Sequence, residues 1–396
     1  HTVLIGGVAH VGNEDVIENS TIIISNGTIE KIGPTESVSF DREKSEIINI
    51  QGKHIYPAFI LPNTTLGLAE IDAVRASRDE REVGDFNPNV RSQIAYNTES
   101  IVISTVRTNG ILLAQTTPRG GLISGTSSIM KLEGENWKDA TYLENDGLHI
   151  NWPESYHKSQ WIHSHDFTAK DTDTENVDDE KKKNKKSISQ LHDFFYNAKQ
   201  YNILKEKDVD LRFEALKDIF LGRASLYMHA NTVNGMKEAI LFAKHHNIEK
   251  VVIVGGSESW RITDFIKKYN IPIILKRIHS LPNHQDDDID QSFKTPKILK
   301  ESGILFCLDY QGDMERMGAR NLPFLAGTTV SFGFNKEEAL KLITLNPAKI
   351  LGISDKTGTL EEGKDANLFI SSGDALDVMS NNIELLFLMG EQISLN

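Results

Sequence analysis

The run at 335–370 constrains the fold most strongly, because two kinds of periodicity meet in it. Asn335 suits a helix N-cap, and apolar residues follow it at helical spacing. Pro347 suits the first position of a second short helix, which is expected to end at Gly352. From 359 onward apolar and polar residues alternate around a turn, which predicts a hairpin. The chain is therefore expected to leave a helical layer here and to enter a small sheet.

Composition limits the class of protein. The chain has 396 residues, more than one core usually holds, so two domains or a barrel with an appendage are expected. The formal net charge of -13 argues against nucleic acid or an anionic membrane as a partner. No apolar run approaches the roughly 18 residues that a membrane span needs. Cys307 is the single cysteine, which excludes an internal disulfide.

Both chain ends have the pattern of strands. Asn26-Gly27 separates two apolar alternations, and this dipeptide is the strongest short hairpin signal because both residues tolerate positive φ. The N-terminal strands and the C-terminal hairpin are each too small to be stable alone. We therefore predict a composite β-sandwich domain built from 1–55 and 357–396.

The segment 56–356 alternates short apolar runs with helical patterns, which is typical of βα units. This indicates an α/β fold with a (β/α)8 TIM-type barrel. The strands are predicted near 56–61, 111–115, 128–132, 148–152, 225–229, 251–254, 271–275 and 304–308. A nearly uninterrupted charged and polar run at 171–186 is expected to be a solvated excursion or mobile loop.

The run at 335–370 resembles the last helix and closing strands of the amidohydrolase superfamily, in particular its imidazolonepropionase-like members. It matches the pattern A-L-x-x-x-T-x-N-P-A-x-x-L-G followed by G-x-L-x-x-G-K-x-A-x-L. The resemblance implies the same barrel with a small β-domain, and hydrolysis of carbon–nitrogen bonds other than peptide bonds. Exported relatives and the absence of an initiator Met before His1, consistent with a removed signal peptide or a trimmed chain, slightly favour an extracytoplasmic location over a cytoplasmic one.

The resemblance also implies a metal site: H-x-H after strand one, Lys or Glu on strand four, His on strands five and six, and Asp on strand eight. This sequence departs from that pattern, with Asn63 in the middle of the strand-one motif and Gly255-Gly256 after strand six. Strand four offers Asn151 or His149. The positions that match are His229 and Asp309.

A catalytic zinc typically takes three protein ligands and a water, so zinc or a similar divalent ion is expected to bind weakly or not at all. Asp309 is the candidate catalytic residue, and His229 and Asp309 are the candidate metal ligands. Alternatives remain open for both: His229 as a hydrogen-bonded histidine at the barrel rim, and Asp309 as a cap of the next loop or the partner of Arg316 or Arg320.

The loop at 117–128 could bind a substrate anion. Its glycines permit consecutive amide groups to form a concavity beside Arg119, although glycines needed only for turns are the alternative. The candidate substrate-binding residues are Asn63, Arg119, Gly120, Gly121, Asn151 and Arg320.

Other histidine groups give weaker signals. His163 and His165 have H-x-H spacing but lie beside the charged run, where surface histidines are expected. His245-His246 ends a helix, where neighbouring side chains should point apart. His279, His284 and the acidic residues at 286–290 could hold Ca²⁺ or form a solvated loop.

Two functions fit these observations. The first is an amidohydrolase-type hydrolase of carbon–nitrogen bonds with a reduced metal site. The second is a catalytically silent barrel that binds a small molecule or supports an active paralogous subunit, because fold does not determine activity. A small-molecule ligand is expected in both, and a homo-oligomer is possible.

Overall fold

The computed structural model describes residues 1–71, 73–154, 177–204, 206–312 and 314–395. The strands are β1 Thr2–His10, β2 Val16–Ser25, β3 Thr28–Pro34, β4 Glu46–Asn49, β5 His54–Pro57, β6 Phe59–Thr64, β7 Ile111–Thr116, β8 Ile123–Lys131, β9 Thr141–Asn151, β10 Ser225–Ala230, β11 Val251–Gly255, β12 Ile273–Leu275, β13 Phe306–Leu308, β14 Leu368–Ser371, β15 Ile383–Leu388 and β16 Glu391–Ile393. The α-helices are α1 Ile101–Arg107, α2 Trp137–Ala140, α3 Val177–Ile203, α4 Leu211–Glu214, α5 Lys217–Phe220, α6 Val233–His245, α7 Thr263–Tyr269, α8 Gln291–Glu301, α9 Glu315–Gly318, α10 Leu322–Val330, α11 Lys336–Lys341 and α12 Leu345–Ile350.

Strands β6 to β13 form one eight-stranded sheet in sequence order, and each apolar run predicted from the sequence coincides with one of them. The sheet curves into a nearly closed TIM-like barrel. Between its first and last strands lies the turn after α11: Leu308 N–H donates to the carbonyl of Leu342, and Ile60 N–H donates to the carbonyl of Ile343. The prediction of a barrel is thus confirmed at the level of its architecture.

One strand runs against the others. β8 is antiparallel to both β7 and β9, whereas the remaining neighbours are parallel. The connection from Thr116 to Ile123 is too short for a helical crossover, so the chain turns back directly. Gly120 and Gly121 make that turn with φ of 86° and 64°. The prediction of strictly alternating βα units is wrong at this place.

The two chain ends share a second sheet, in the order β16-β15-β14-β5-β1-β2-β3 with β4 on β1. β14 pairs antiparallel with β5, so that Ile370 lies opposite Ile55. This sheet encloses its own apolar core, in which Leu4, Ile22 and Phe387 are buried. The strands form one hydrogen-bonded sheet, and the predicted two-sheet sandwich is not confirmed.

The turn between β2 and β3 is formed as predicted. Asn26 and Gly27 have φ of 50° and 83°, and Ser25 pairs with Thr28 across them. The geometry is the one that makes this dipeptide favourable in a two-residue hairpin. It sets the register that points the apolar residues of both strands at the shared core.

The run at 335–370 follows its predicted course in the helical part and departs from it afterwards. Asn335 caps α11 in a reciprocal capping box with Glu338. α12 begins at Leu345, so Pro347 is its third residue rather than its first. The predicted hairpin does not form, because Leu360 N–H donates to the carbonyl of Val11 and β14 pairs with β5 and β15.

The charged run is helical where it is described. Residues 177–186 belong to α3, and 171–176 lie outside the described residues. Lysine and glutamate are good helix formers, and the next turns carry Leu191, Phe195 and Ala198, which are buried. These apolar residues anchor the helix to the molecule. The segment 177–186 is therefore helix rather than a mobile loop, and the mostly exposed side chains at 179–186 agree with the solvated alternative. Among the described helices, none is long and apolar enough to cross a membrane.

Candidate active site at the barrel mouth

Polar side chains meet at the barrel mouth, the end of the barrel where the carboxyl ends of its parallel strands lie. Asn63 is on β6, and Asp309 directly follows β13. The side-chain amide of Asn63 donates to Asp309 Oδ2 at 2.7 Å. Arg119, in the turn after β7, donates to the side-chain and backbone oxygens of Asn63 at 2.9 and 2.7 Å. Three of the predicted site residues therefore form one hydrogen-bonded chain.

Arg119 is engaged by the protein on its other side as well. It forms an ion pair with Glu315 at 3.2 Å, and both side chains are largely buried, at 19% and 16% exposure. The same Glu315 oxygen accepts from the backbone N–H and hydroxyl of Thr65 at 3.0 and 2.7 Å. The guanidinium is thus held between Asn63 and Glu315.

The glycine loop presents carbonyl oxygens to its neighbour Asn151. The side-chain amide of Asn151 donates to the carbonyl of Gly121 at 2.8 Å and to that of Gly120 at 3.4 Å. A Cβ at either glycine would collide with the segment at 81–85. These contacts match the alternative in which the glycines serve the turn and its close packing.

Two histidines form a pair inside the mouth. His149 Nδ1 lies 2.9 Å from His229 Nε2, and His149 Nε2 lies 2.8 Å from Ser127 Oγ. The Ser127 hydroxyl donates its one proton to Asp146 or to the carbonyl of Gly147, so it accepts from His149. His149 therefore carries its proton on Nε2 and accepts from His229 Nε2–H. This leaves the lone pair of His229 on Nδ1.

Asp146 is the centre of the buried network behind the histidines. Besides Ser127 at 2.8 Å, it accepts from Gln115 Nε2 at 2.7 Å and from the Tyr227 hydroxyl at 2.8 Å. Burial raises the pKa of Asp146 to about 6, and these three donors limit the rise. Gln115 also accepts from the backbone N–H of Asn63 at 3.0 Å. The histidine pair and the Asn63–Asp309 pair are thus two ends of one network.

Sequence reasoning missed the network behind the mouth. Gln115, Ser127, Asp146 and Tyr227 were not predicted site residues, and His149 was considered only as a substitute ligand. A signal exists in the strands, since Gln115 interrupts the apolar run ILLAQT and His149 the run LHI. A polar residue at an inward position of a barrel strand needs a partner, and its partners are other such residues.

The electrostatics of the mouth set the protonation states. Burial, together with the negative charge of Glu315, raises the pKa of Asp309 to about 8, against the lowering effects of Asn63 and Arg119. Burial and the positive charge of Arg119 lower the pKa of His229 to about 3. Burial also holds the pKa of His149 well below its usual range. At neutral pH the mouth therefore contains a protonated Asp309 and two neutral imidazoles.

The remaining predicted residues lie elsewhere. Arg320 is exposed, and its carbonyl accepts from Asn109 in the turn before β7. Arg316 donates to the Thr65 hydroxyl, whereas Asp309 accepts from the side-chain amide of Asn63. His163 and His165 lie outside the described residues. Cys307 is buried and its thiol pKa is raised, which makes it unreactive.

The acidic run at 286–290 is taken up by ion pairs. Asp287 pairs with Arg261, and Lys294 pairs with Asp288 and Asp290 at 2.8 and 2.7 Å. His284 lies 2.7 Å from Glu258. These contacts favour the solvated loop over a calcium site.

A cavity of about 450 Å³ opens at the same end of the barrel, beyond Asn151 and His229. Its floor includes Glu154, whose carboxylate accepts from the backbone N–H groups of Asn231 and Thr232 at 2.9 and 3.0 Å. Burial raises the pKa of Glu154, while these donors oppose the rise. The volume is that of a small-molecule pocket.

The chain was compared with known proteins. A model of the Amidohydrolase family matches residues 212–392. The whole chain superposes on an amidohydrolase from Thermotoga maritima with a TM-score of 0.83, 20% identity and coverage of 100% of both chains. A Xaa-Pro dipeptidase structure superposes with a TM-score of 0.56 at 15% identity over 99% of both chains. At these identities the likeness concerns the fold.

Two curated relatives match over short segments. An imidazolonepropionase from Thermoplasma volcanium is 34% identical over 84 residues, which is 21% of this chain and 20% of that protein. An imidazolonepropionase from Thermoplasma acidophilum is 49% identical over 43 residues, 11% of this chain and 10% of that protein. The matches therefore span about a fifth and a tenth of these relatives.

Proposed function

We propose, from the premise that this chain belongs to the amidohydrolase superfamily, that it hydrolyses carbon–nitrogen bonds other than peptide bonds in a small molecule bound at the barrel mouth. The observation that carries the proposal is the Asp309 carboxyl, 1% exposed and held by Asn63 where the strands end. A buried carboxyl with a strongly raised pKa at such a position is typical of a proton-transfer group.

Asp309 is the proposed catalytic residue. In its carboxylate form it accepts a proton from the attacking water and passes it to the leaving nitrogen, so its reactive form accumulates as pH rises through about 8. Asn63 orients the carboxyl. Arg119 is a positioning residue, because it holds Asn63 at two oxygens and faces Glu315.

The proposed substrate contacts are the polar groups at the rim. They are Asn63, Asn151 and the loop at Gly120 and Gly121, which hydrogen bonds tie together at the strand ends. The cavity lined by Glu154 and Thr232, in the segments that follow β9 and β10, is the proposed space for the substrate. His229 contributes a neutral imidazole whose lone pair lies on Nδ1, suited to accept a hydrogen bond from a substrate N–H or O–H. Arg320 is not part of this set.

The donor set does not fit a tightly held divalent ion. A catalytic zinc takes three protein ligands and a water, whereas the retained family positions are His229 and Asp309. One Asp309 oxygen already accepts from Asn63, and the charge of Arg119, which acts on both His229 and Asp309, opposes a second cation. Zinc is therefore proposed to bind weakly at the mouth, and no catalytic step is derived through it.

The second candidate is a catalytically silent barrel that binds a small molecule or supports a paralogous subunit. The low pKa of His229, about 3, favours it, because an imidazole that weakly basic accepts a proton poorly. The Asn63–Asp309 bond also favours it, since a carboxyl already bonded within the protein is less available to a reactant.

Initial rates on a panel of ureas, lactams and N-acyl amino acids test the proposal. We expect a rate that rises with pH through about 8 and falls at least about 100-fold in Asp309→Asn. Asp218→Asn is the matched control, because that carboxylate pairs with Arg223 at an exposed site. Equal rates in Asp309→Asn and wild type would overturn the proposal. Ligand binding without turnover by wild type would favour the silent barrel.

A further inference from the structure

Three histidines meet on the outside of the barrel, between α3 and α6. His192 is on α3, His245 is the last residue of α6, and His246 caps that helix. Each offers a ring nitrogen, and these three nitrogens lie within 4.8 Å of one another. In the described part of the chain this is the one group of three or more such ligands that meets that distance. The cluster is separate from the barrel mouth.

The helix end explains how adjacent side chains converge. On a continuous helix neighbouring side chains diverge by about 100°, which is why His245 and His246 were predicted to point apart. His246 leaves the helix with φ of −85° and ψ of 4°. Its ring lies 5.1 Å from that of His245 and 5.1 Å from that of His192. The prediction for this pair is wrong because it assumed helical geometry at both residues.

Apolar packing holds α3 against α6 at this point. Phe195, one turn after His192, packs on Phe242 with ring centroids 5.0 Å apart. His192 itself lies edge-on to Phe242 at 4.8 Å. Both phenylalanines belong to the barrel's apolar core, so the cluster is positioned by elements that are rigidly packed.

The chemistry of the cluster suits a borderline metal ion. Imidazole nitrogens are ligands that zinc, copper and nickel prefer. A tetrahedral zinc with Zn–N distances of 2.0–2.1 Å places its ligand nitrogens about 3.3 Å apart, and His192 Nδ1 lies 3.0 Å from His246 Nε2.

The surroundings admit an ion. The histidines border a cavity of about 460 Å³ that is also lined by Asp193, Tyr196, Lys199 and Gln200. Asp193 places a negative charge near His192 and Lys199 a positive one near His246, while the carboxyl end of α6 favours a cation. The open side leaves room for water as a fourth ligand.

We propose that His192, His245 and His246 form a binding site for a first-row divalent transition metal such as zinc, independent of the activity proposed for the mouth. The competing explanation is a hydrogen-bonded His192–His246 pair with His245 beside it by chance. The two differ in the role of His245, which is exposed and bonds to no ring nitrogen in the described contacts. A metal site needs His245, whereas the hydrogen-bonded pair does not.

Zinc titration of the full chain against a chromophoric chelator tests the site. We expect one zinc per chain, with affinity at least about tenfold weaker in His192→Ala and in His245→Ala. Mutating a residue that only hydrogen-bonds to a metal ligand already lowers metal affinity by about 10–100-fold, and a direct ligand should matter at least as much. His279→Ala is the matched control, because that exposed histidine contacts Thr328 far along the chain from the cluster. His229→Ala should leave this affinity unchanged.

Thermal unfolding supplies a second readout. Zinc should raise the Tm of wild type and of His279→Ala and leave the Tm of His245→Ala unchanged, because ligand binding to the folded state stabilises it. His245 is exposed, so this variant is expected to fold normally. Unchanged zinc affinity in either His192→Ala or His245→Ala would overturn the three-histidine site. A wild-type Kd weaker than about 100 µM, about 5.5 kcal/mol of binding, would overturn it as well.

Discussion

The protein contains two histidine pairs of nearly equal geometry in different surroundings. At the barrel mouth His149 and His229 have ring nitrogens 2.9 Å apart, and outside the barrel those of His192 and His246 are 3.0 Å apart. The mouth pair is tied to Ser127 and lies in the field of Arg119. The outer pair has a third imidazole, His245, and a helix carboxyl end beside it. Histidines alone therefore do not identify a metal site. The number of ligands and the fixed charge nearby distinguish it from an acid–base network.

The largest expected effect concerns the charge at the mouth. Arg119→Met removes the partner of Glu315 and both bonds to Asn63, leaving a buried carboxylate without its cation. We expect a loss of about 3–5 kcal/mol in the free energy of unfolding, measured by urea denaturation. Arg223→Met, at an exposed pair with Asp218, should cost less than about 1 kcal/mol. Similar losses in both variants would show that Arg119 is not the organising charge.

The second effect compares one histidine from each pair. His149→Ala empties a fully buried position and removes the ring nitrogen that accepts from His229, while Ser127 keeps its bond to Asp146. We expect a cost of about 2–4 kcal/mol in unfolding free energy. His245→Ala changes an exposed residue and should cost no more than about 0.5 kcal/mol without metal. If His245→Ala lost more unfolding free energy than His149→Ala in a metal-free buffer, the comparison would be reversed.

The third effect is the pH dependence of stability. The pKa of Asp309 is raised in the folded state, so unfolding releases its proton and stability falls as pH rises from the unfolded pKa toward about 8. His229, with a folded pKa of about 3, contributes stability that grows with pH only up to its unfolded value near 6.5. Between pH 6.5 and 8, wild type should therefore lose roughly 1.5–2 kcal/mol relative to Asp309→Asn. Parallel pH profiles of the two proteins in urea denaturation would contradict this.

The smallest effect is metal binding at the mouth. In the double variant His192→Ala/His245→Ala, elemental analysis after dialysis against a mild chelator should find much less than one zinc per chain. The reason is that His229 and Asp309 are two ligands where a catalytic zinc takes three. One zinc per chain in this variant, lost on adding His229→Ala, would mean that the mouth recruits further ligands.

Much of the framework was predictable because its signals are local. Each barrel strand contains or overlaps a short apolar run, and the hairpin at Asn26-Gly27 and the cap at Asn335 depend on residues close in sequence. The reversed direction of β8 was not predicted, because apolar runs carry no information on strand direction. The helical start of α3 was missed because a charged run predicts that its side chains face solvent. It does not predict whether its backbone is helix or loop.

The candidate site was predictable where a family position or the glycine-rich loop marked it. Asn63, Arg119 and Asp309 were named in advance and form one hydrogen-bonded chain. The partners behind them, such as Asp146, come from distant strands and acquire their role only through the barrel. His192 lies 53 residues before His245, so no spacing rule could join them.

The protonation state of Asp309 tests the account of the mouth most directly. The carbonyl stretch of a protonated carboxyl can be followed in the infrared difference spectrum between wild type and Asp309→Asn as pH is changed. The account predicts a carboxylic acid band at pH 6 that disappears with a midpoint near pH 8. A carboxylate already present at pH 6 would contradict it.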